Sequence, residues 1–234
     1  MNLTEQQLFD YSYCPVKYFL KYKTKIVVPE EVTINKLLTQ VAKYFYTTVA
    51  NGKVPSLKQM QNKLDAICEA NREMINPKKA VEMWGLVYNF YNWACDNKIA
   101  VVDTDTRYAI PIGEHIIEGA MNPIALTPNK NLEILIVNFS NKIQDKLEID
   151  TKLKYTLDTF AFNTANKDMK IDATKIHLVK SNKDIITTRN INDYDRLKST
   201  VNNIAKSIQN ELYYPRETFM CTSCNYRNYC RAWK

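Results

Sequence analysis

Thiols stand at both ends of this chain. Cys221, Cys224 and Cys230 form a C-x2-C-x5-C run near the C-terminus, and Cys14 sits directly before Pro15 near the N-terminus. C-x2-C is a common opening of a metal site, because a tetrahedral centre takes thiolate or imidazole ligands and a short loop can supply two of them. The C-terminal trio needs a fourth ligand and none lies nearby. The two histidines, His115 and His177, fall far upstream in strand-like runs and read as ordinary strand residues. Cys14 is therefore the partner to expect, some two hundred residues away. Cys68 and Cys95 lie among apolar positions of helical spacing and read as core thiols.

The remaining composition is that of a globular chain. With 45% hydrophobic and 24% charged residues over 234 positions, one domain with a sizeable core is expected. There is no twenty-residue apolar run, so no membrane span is expected. Met1 to Glu5 has neither a basic nor an apolar stretch, so no signal peptide is expected. Metal-binding thiolates need a reducing compartment, which points to the cytoplasm. The net charge of +7 permits a polyanionic partner. Lys17, Lys21, Lys23 and Lys25 cluster in front, and Arg227, Arg231 and Lys234 behind. If the cysteines join both ends, these charges make one basic patch suited to a phosphate backbone, with salt-dependent binding. A solvated lysine-rich surface reads the same way.

Helical spacing dominates the first hundred residues. Asn2 to Lys25 reads as two short helices around Cys14-Pro15, Glu30 to Asn51 as one helix, and Ser56 to Asn97 as two or three helices broken near Asn76-Pro77. At Val101 the pattern becomes extended. Thr106–Ile112, His115–Leu126 and Leu132–Ser140 read as strands, Asp145–Asn166 as a helix, Thr174–Val179 and Ile185–Thr188 as strands, and Asn192–Asn210 as a closing helix.

Thr4, Leu8, Tyr11, Cys14, Pro15, Lys17, Tyr18, Leu20 and Tyr22 in front, with Tyr214, Pro215, Cys221, Cys224, Tyr226 and Cys230 behind, carry a family likeness. These two segments resemble those of the iron-sulfur nucleases of the PD-(D/E)XK superfamily, the AddB nuclease domain and the CRISPR-adaptation exonucleases related to RecB. The resemblance implies one [4Fe-4S] cluster on Cys14, Cys221, Cys224 and Cys230. A zinc ion on the same four thiols, or cysteines that are merely reduced, are the other readings. By analogy with a long-loop disulfide, such a clasp stabilises the chain by about 4 to 5 kcal/mol. The resemblance also implies an α/β fold over residues 1–234 as one domain. Cluster-binding segments would span 1–30 and 211–234, a helical insertion 31–100, and a nuclease-like core, a mixed sheet flanked by helices, 101–210.

The family cuts phosphodiesters with Mg2+ or Mn2+ held by acidic residues on the second and third strands, beside a lysine. At the positions that match, this chain has Asn122, Asn138 and Ser140; the family's upstream histidine falls at Gln40, and its Gln-x-x-x-Tyr at Thr156 and Phe160. Neutral amides and hydroxyls offset the dehydration of Mg2+ poorly, so no Mg2+ or Mn2+ site is expected. The expectation is a pseudonuclease that binds DNA, as a single strand or a duplex end, through Lys17, Lys21, Lys23, Arg227 and Arg231, or a structural subunit of a replication, recombination or transcription complex. The alternative is an active Mg2+- or Mn2+-dependent DNA exonuclease with a site rebuilt from Glu118, Glu148 or Asp158 with Lys142. Glu114 and Asp145 lie near the same strands. A third possibility is a metal protein that contacts only other proteins.

Overall fold

A computed structural model of the chain describes residues 1–29, 32–140 and 145–230. The first half runs β1 (Asn2–Thr4), α1 (Glu5–Tyr13), α2 (Pro15–Tyr18) continuing into a π-helical turn (Phe19–Lys23), α3 (Ile34–Ala50), α4 (Leu57–Ala70) and α5 (Pro77–Asp96). Then come strands β2 (Ala100–Asp103), β3 (Arg107–Ile112), β4 (His115–Ala120), β5 (Ile124–Leu126) and β6 (Leu132–Asn138). The chain continues with α6 (Lys146–Asp150), α7 (Leu153–Ala165), β7 (Ile171–Leu178), β8 (Lys183–Thr187) and α8 (Ile191–Gln209). It closes with 3-10 turns at Phe219–Ser223 and Arg227–Tyr229. The architecture is α/β, two sheets with helices against them. Among the described residues no helix is long and apolar enough to cross a membrane.

The contacts divide the chain into two compact units. The first gathers Met1–Glu31, Arg107–Gly119 and Ile191–Lys234. Its sheet has the order β1-β4-β3, with β1 parallel to β4 and Leu3 opposite Ile117. Thr4 ends β1 and starts α1 through a capping box: its hydroxyl accepts from Gln7 N–H, and the Gln7 side chain accepts from Thr4 N–H. Helix α8 buries Leu197, Val201, Ile204, Ala205 and Ile208, one face of a 3.6-residue period, and packs against α1 and β3. At Gly119 an added Cβ would run into the Tyr108 hydroxyl and, at 2.5 Å, the Glu5 carboxylate. Those two groups are hydrogen-bonded to each other at 2.6 Å.

The second unit holds Val32–Thr106 and Ala120–Asn190. Its sheet runs β2-β5-β6-β7-β8, with β6 and β7 parallel and the other neighbours antiparallel. A parallel pair needs a crossover, which α6 and α7 supply. Helices α3, α4 and α5 pack together and bury Leu38, Phe45, Met60, Met83 and Phe90, with the rings of Phe45 and Phe90 edge-on at 5.4 Å. Cys68 and Cys95 are partly buried against this core, as the periodicity suggests.

Several expected elements differ. The strand read from His115 to Leu126 is two, β4 and β5. Pro123 has no N–H to give a ladder, and its carbonyl instead accepts from Leu135 N–H at 2.8 Å. The helix read from Asp145 to Asn166 breaks at Thr151 and Lys152. Thr151 turns its hydroxyl back to the Leu147 carbonyl, and Lys152 is extended. The helix read from Glu30 begins at Ile34 behind its Thr33 cap, and Glu30 itself lies outside the described residues. The segment 101–210, read as one core, contributes to both units.

Candidate metal centre

All four cysteines of the two end segments belong to the first unit and line one pocket. Cys14 interrupts the helical run: it is extended, with φ −162°, and Pro15 then restarts the chain as the first residue of α2. The C-terminal spacing also has a local origin. The N–H of Cys221 bonds the Thr218 carbonyl, Cys224 that of Cys221, Arg227 that of Cys224 and Cys230 that of Arg227, at 3.0 to 3.3 Å. Side chains three apart in such turns fall on one side. C-x2-C-x5-C is thus a period of three in which Arg227 takes the remaining place, and all four of these residues line the pocket.

The front and back segments are stitched together without the sulfurs. Tyr11 donates its hydroxyl to the Leu212 carbonyl (2.6 Å), Tyr13 to that of Met220 (3.3 Å) and Tyr226 to that of Ile26 (3.3 Å), while Arg216 donates to the Ser12 carbonyl (2.7 Å). Tyr213 packs against Phe19 at 5.1 Å between ring centres. The pocket holds about 440 Å3 of atom-free space, open solvent included. Lys17, Arg216 and Arg227 line it with Glu217, so cations stand where thiolates would carry charge. Burial, then the Cys224, Cys221 and Cys14 sulfurs, raise the Tyr13 hydroxyl above the usual phenol range. The N–H of Thr218 points at the Cys221 sulfur at 3.5 Å. Among the described residues no three His, Cys, Asp or Glu side chains form a set that could hold a metal ion. The four cysteines line one cavity, and the Cys221 thiol lies 3.7 Å from the Arg216 carbonyl oxygen. The donor set, four thiols from two segments beside three cations, fits an anionic thiolate-bound group.

The basic residues beside the pocket carry a feature that the sequence reading missed. Asp10, 2% exposed, takes Lys17 Nζ at 2.8 Å on one carboxylate oxygen and Lys21 Nζ and the Tyr22 hydroxyl, both at 2.9 Å, on the other. Burial alone would raise this carboxyl. The hydrogen bonds and charges of Lys17 and Lys21, with the bond from Tyr22, outweigh it and hold Asp10 below the usual carboxylate range. Burial first, and then the hydrogen bond to Asp10, push the Tyr22 hydroxyl up to about 12 against the opposing pull of Lys21. Lys17 also lies over the Tyr13 ring at 4.9 Å. Two of the expected DNA-binding cations therefore have their ammonium groups fixed by an internal carboxylate. Lys23 is exposed, Arg227 lines the pocket, and Arg231 lies outside the described residues.

The positions matched to catalytic groups lie in the second unit. Gln40 is exposed on α3 and Phe160 is half-buried on α7. Asn138 accepts from Ser140 N–H at 2.8 Å, and Ser140 lines a pocket with Asn35, Lys79, Glu82 and Lys180. Thr156 accepts from Arg189 Nε at 2.8 Å. Asn122, between β4 and β5, donates its amide to Asp158 at 2.9 Å, and Asp158 is fully buried and ion-paired to Lys154 at 2.8 Å. Of the residues considered for a rebuilt site, Glu114, Glu118 and Glu148 are exposed, Asp145 caps α6, and Lys142 lies outside the described residues. His115 opens β4 and is buried. His177, buried in β7, bonds Asp184 at 2.7 Å and stacks on Trp93 at 3.8 Å between ring centres.

No protein-family model matches the sequence, and no curated protein matches it. Among solved structures, the chain is similar to one described as the crystal structure of SSO0001, with a TM-score of 0.41 at 12% identity. The likeness covers 97% of this chain and 98% of that one.

Proposed function

We propose that this chain is a non-catalytic iron-sulfur protein on a nuclease-like scaffold, one that binds DNA as a subunit of a nucleic-acid-processing assembly. The observation that carries the reading is the pocket shared by Cys14, Cys221, Cys224 and Cys230, drawn from the two ends of the chain. These four would hold a [4Fe-4S] cluster, which supplies four iron sites for the four thiolates and an electron-accepting centre. The rest of the arrangement is the protein's own. The tyrosine and Arg216 stitches hold the two segments in place, Thr218 N–H is aimed at one sulfur, and Lys17, Arg216 and Arg227 offset thiolate charge.

Support for the non-catalytic part comes from the matched acidic and lysine positions. Asn122 and Asn138 spend their side chains on local bonds, and Ser140 carries no charge. The exposed Lys23 and the net positive charge of the chain suit a phosphate backbone. Thiolate iron chemistry suits a reducing compartment, the cytoplasm.

The test is anaerobic purification followed by iron and sulfide analysis, DNA binding across a salt series, and DNA degradation with Mg2+ or Mn2+ and a Glu118→Ala control. The expected result is about four irons per chain, DNA affinity that falls steeply with salt, and no cleavage. Cleavage lost in the Glu118→Ala variant would overturn the non-catalytic reading, and a chain that binds no DNA at low salt would leave only the protein-contacting role.

A further inference from the structure

We infer that the ammonium of Lys154 is a built-in cation, filling a site on α7 that would otherwise take a divalent metal ion. Three side chains and one backbone oxygen make the case. Lys154 Nζ lies 2.8 Å from Asp158 Oδ1 and 2.6 Å from the carbonyl oxygen of Ala120. The other carboxylate oxygen of Asp158 accepts from the Asn122 amide at 2.9 Å, which fixes the plane of the carboxylate. Carboxylate, backbone carbonyl and amide oxygen are the donors that hard divalent cations use, and a turn of the Asn122 amide would add its oxygen to the set. Asp158 has no exposed surface, while the Lys154 side chain is 21% exposed. A buried carboxylate that stays ionised is stabilised by a cation beside it, either a side chain or a metal ion. Here α7 brings its own, because Lys154 and Asp158 are four residues apart on one helical face. A lysine ammonium is a compact point charge and can stand where an ion would.

The inference deepens the non-catalytic reading and rests on it in one respect, that Asn122 occupies the family's metal-binding position. The geometry itself does not depend on that match. It explains why the position tolerates an amide: with the ammonium in place, a second carboxylate has no ion left to share.

The experiment measures Mn2+ binding by electron paramagnetic resonance and by melting temperature, in the wild type, Lys154→Ala and the Lys154→Ala/Asp158→Asn double variant. Lys154→Ala should bind Mn2+ at least about tenfold more tightly than the wild type and melt higher with Mn2+ than with Na+. The double variant should lose both effects. Binding by the wild type as tight as by Lys154→Ala, or no gain in Lys154→Ala, overturns the inference. If Lys154→Ala does not fold alone, Lys154→Ser is refolded with Mn2+ and with Na+. Recovery with Mn2+ alone supports the inference, and recovery with neither, or equally with both, overturns it. DNA cleavage by the wild type would sink the functional reading without touching these Mn2+ results, so the two failures are distinguishable.

Discussion

Asp10→Asn removes a charge that two cations share while keeping the shape of the side chain. The carboxylate is 2% exposed, and it receives ammonium hydrogens from Lys17 and Lys21 and the Tyr22 hydroxyl at 2.8 to 2.9 Å. Hydrogen bonds to charged groups contribute about 1.5 to 3 kcal/mol each, and stripping one partner from a buried pair costs about 3 to 5 kcal/mol. The lysines are 26% and 31% exposed, so in the variant their ammonium groups can turn to water, which lowers the cost. The asparagine also still accepts from Tyr22. The expected loss is about 2 to 3 kcal/mol, read as a lower urea midpoint at unchanged slope.

The pH dependence makes the reasoning stricter. Because the folded carboxyl is held below its ordinary value, its stabilisation is fully present above the unfolded value near 4 and is lost as pH falls through the folded one. The gap between wild type and Asp10→Asn should hold from about pH 5 to 8 and close in more acid solution. A loss under about 0.5 kcal/mol at pH 7, or a gap unchanged at about pH 3, would refute the account of a carboxylate stabilised by its two lysines.

Other residues give simpler outcomes. Cys14→Ser should abolish most of the bound iron and its visible absorbance, whereas Cys68→Ser, distant in sequence from the end segments, should leave both intact; equal loss in the two would contradict the ligand assignment. Gly119→Ala should cost about 1 to 3 kcal/mol by forcing apart the Tyr108–Glu5 hydrogen bond, measured by urea unfolding. Asp184→Ala removes the partner of the buried His177 Nδ1, and Nε2 has no partner among the described residues. That variant should lose about 1 to 3 kcal/mol at pH 7, and an unchanged melting curve would count against the role of this pair.

The helices α3 to α5 were legible because their apolar residues repeat at the helical period and Asn51-Gly52 and Asn76-Pro77 punctuate them. The four cysteines were legible as a set because their spacing is the signal itself. Strand β1 was not, since three residues become a strand only by pairing with β4. Nor was the split between β4 and β5, where an apolar run concealed the missing N–H of Pro123. The Asp10 hub escaped notice because its cations, seven and eleven residues on, lie beyond the break at Cys14, and a helical spacing carries no meaning across a break in the helix. Lys154 and Asp158 stand at readable i, i+4 spacing, but the third member, the Ala120 carbonyl, comes from backbone that only the fold brings near.

The stitches around the cysteine pocket have one trait in common. Tyr11, Tyr13, Tyr226 and Arg216 each supply the specific donor, and each acceptor is a main-chain carbonyl. Every amino acid carries that carbonyl, so Leu212, Met220, Ile26 and Ser12 can drift to other residues over generations without breaking the join. The pocket's shape is inherited through a handful of side chains, while the loop sequences around it are free to diverge.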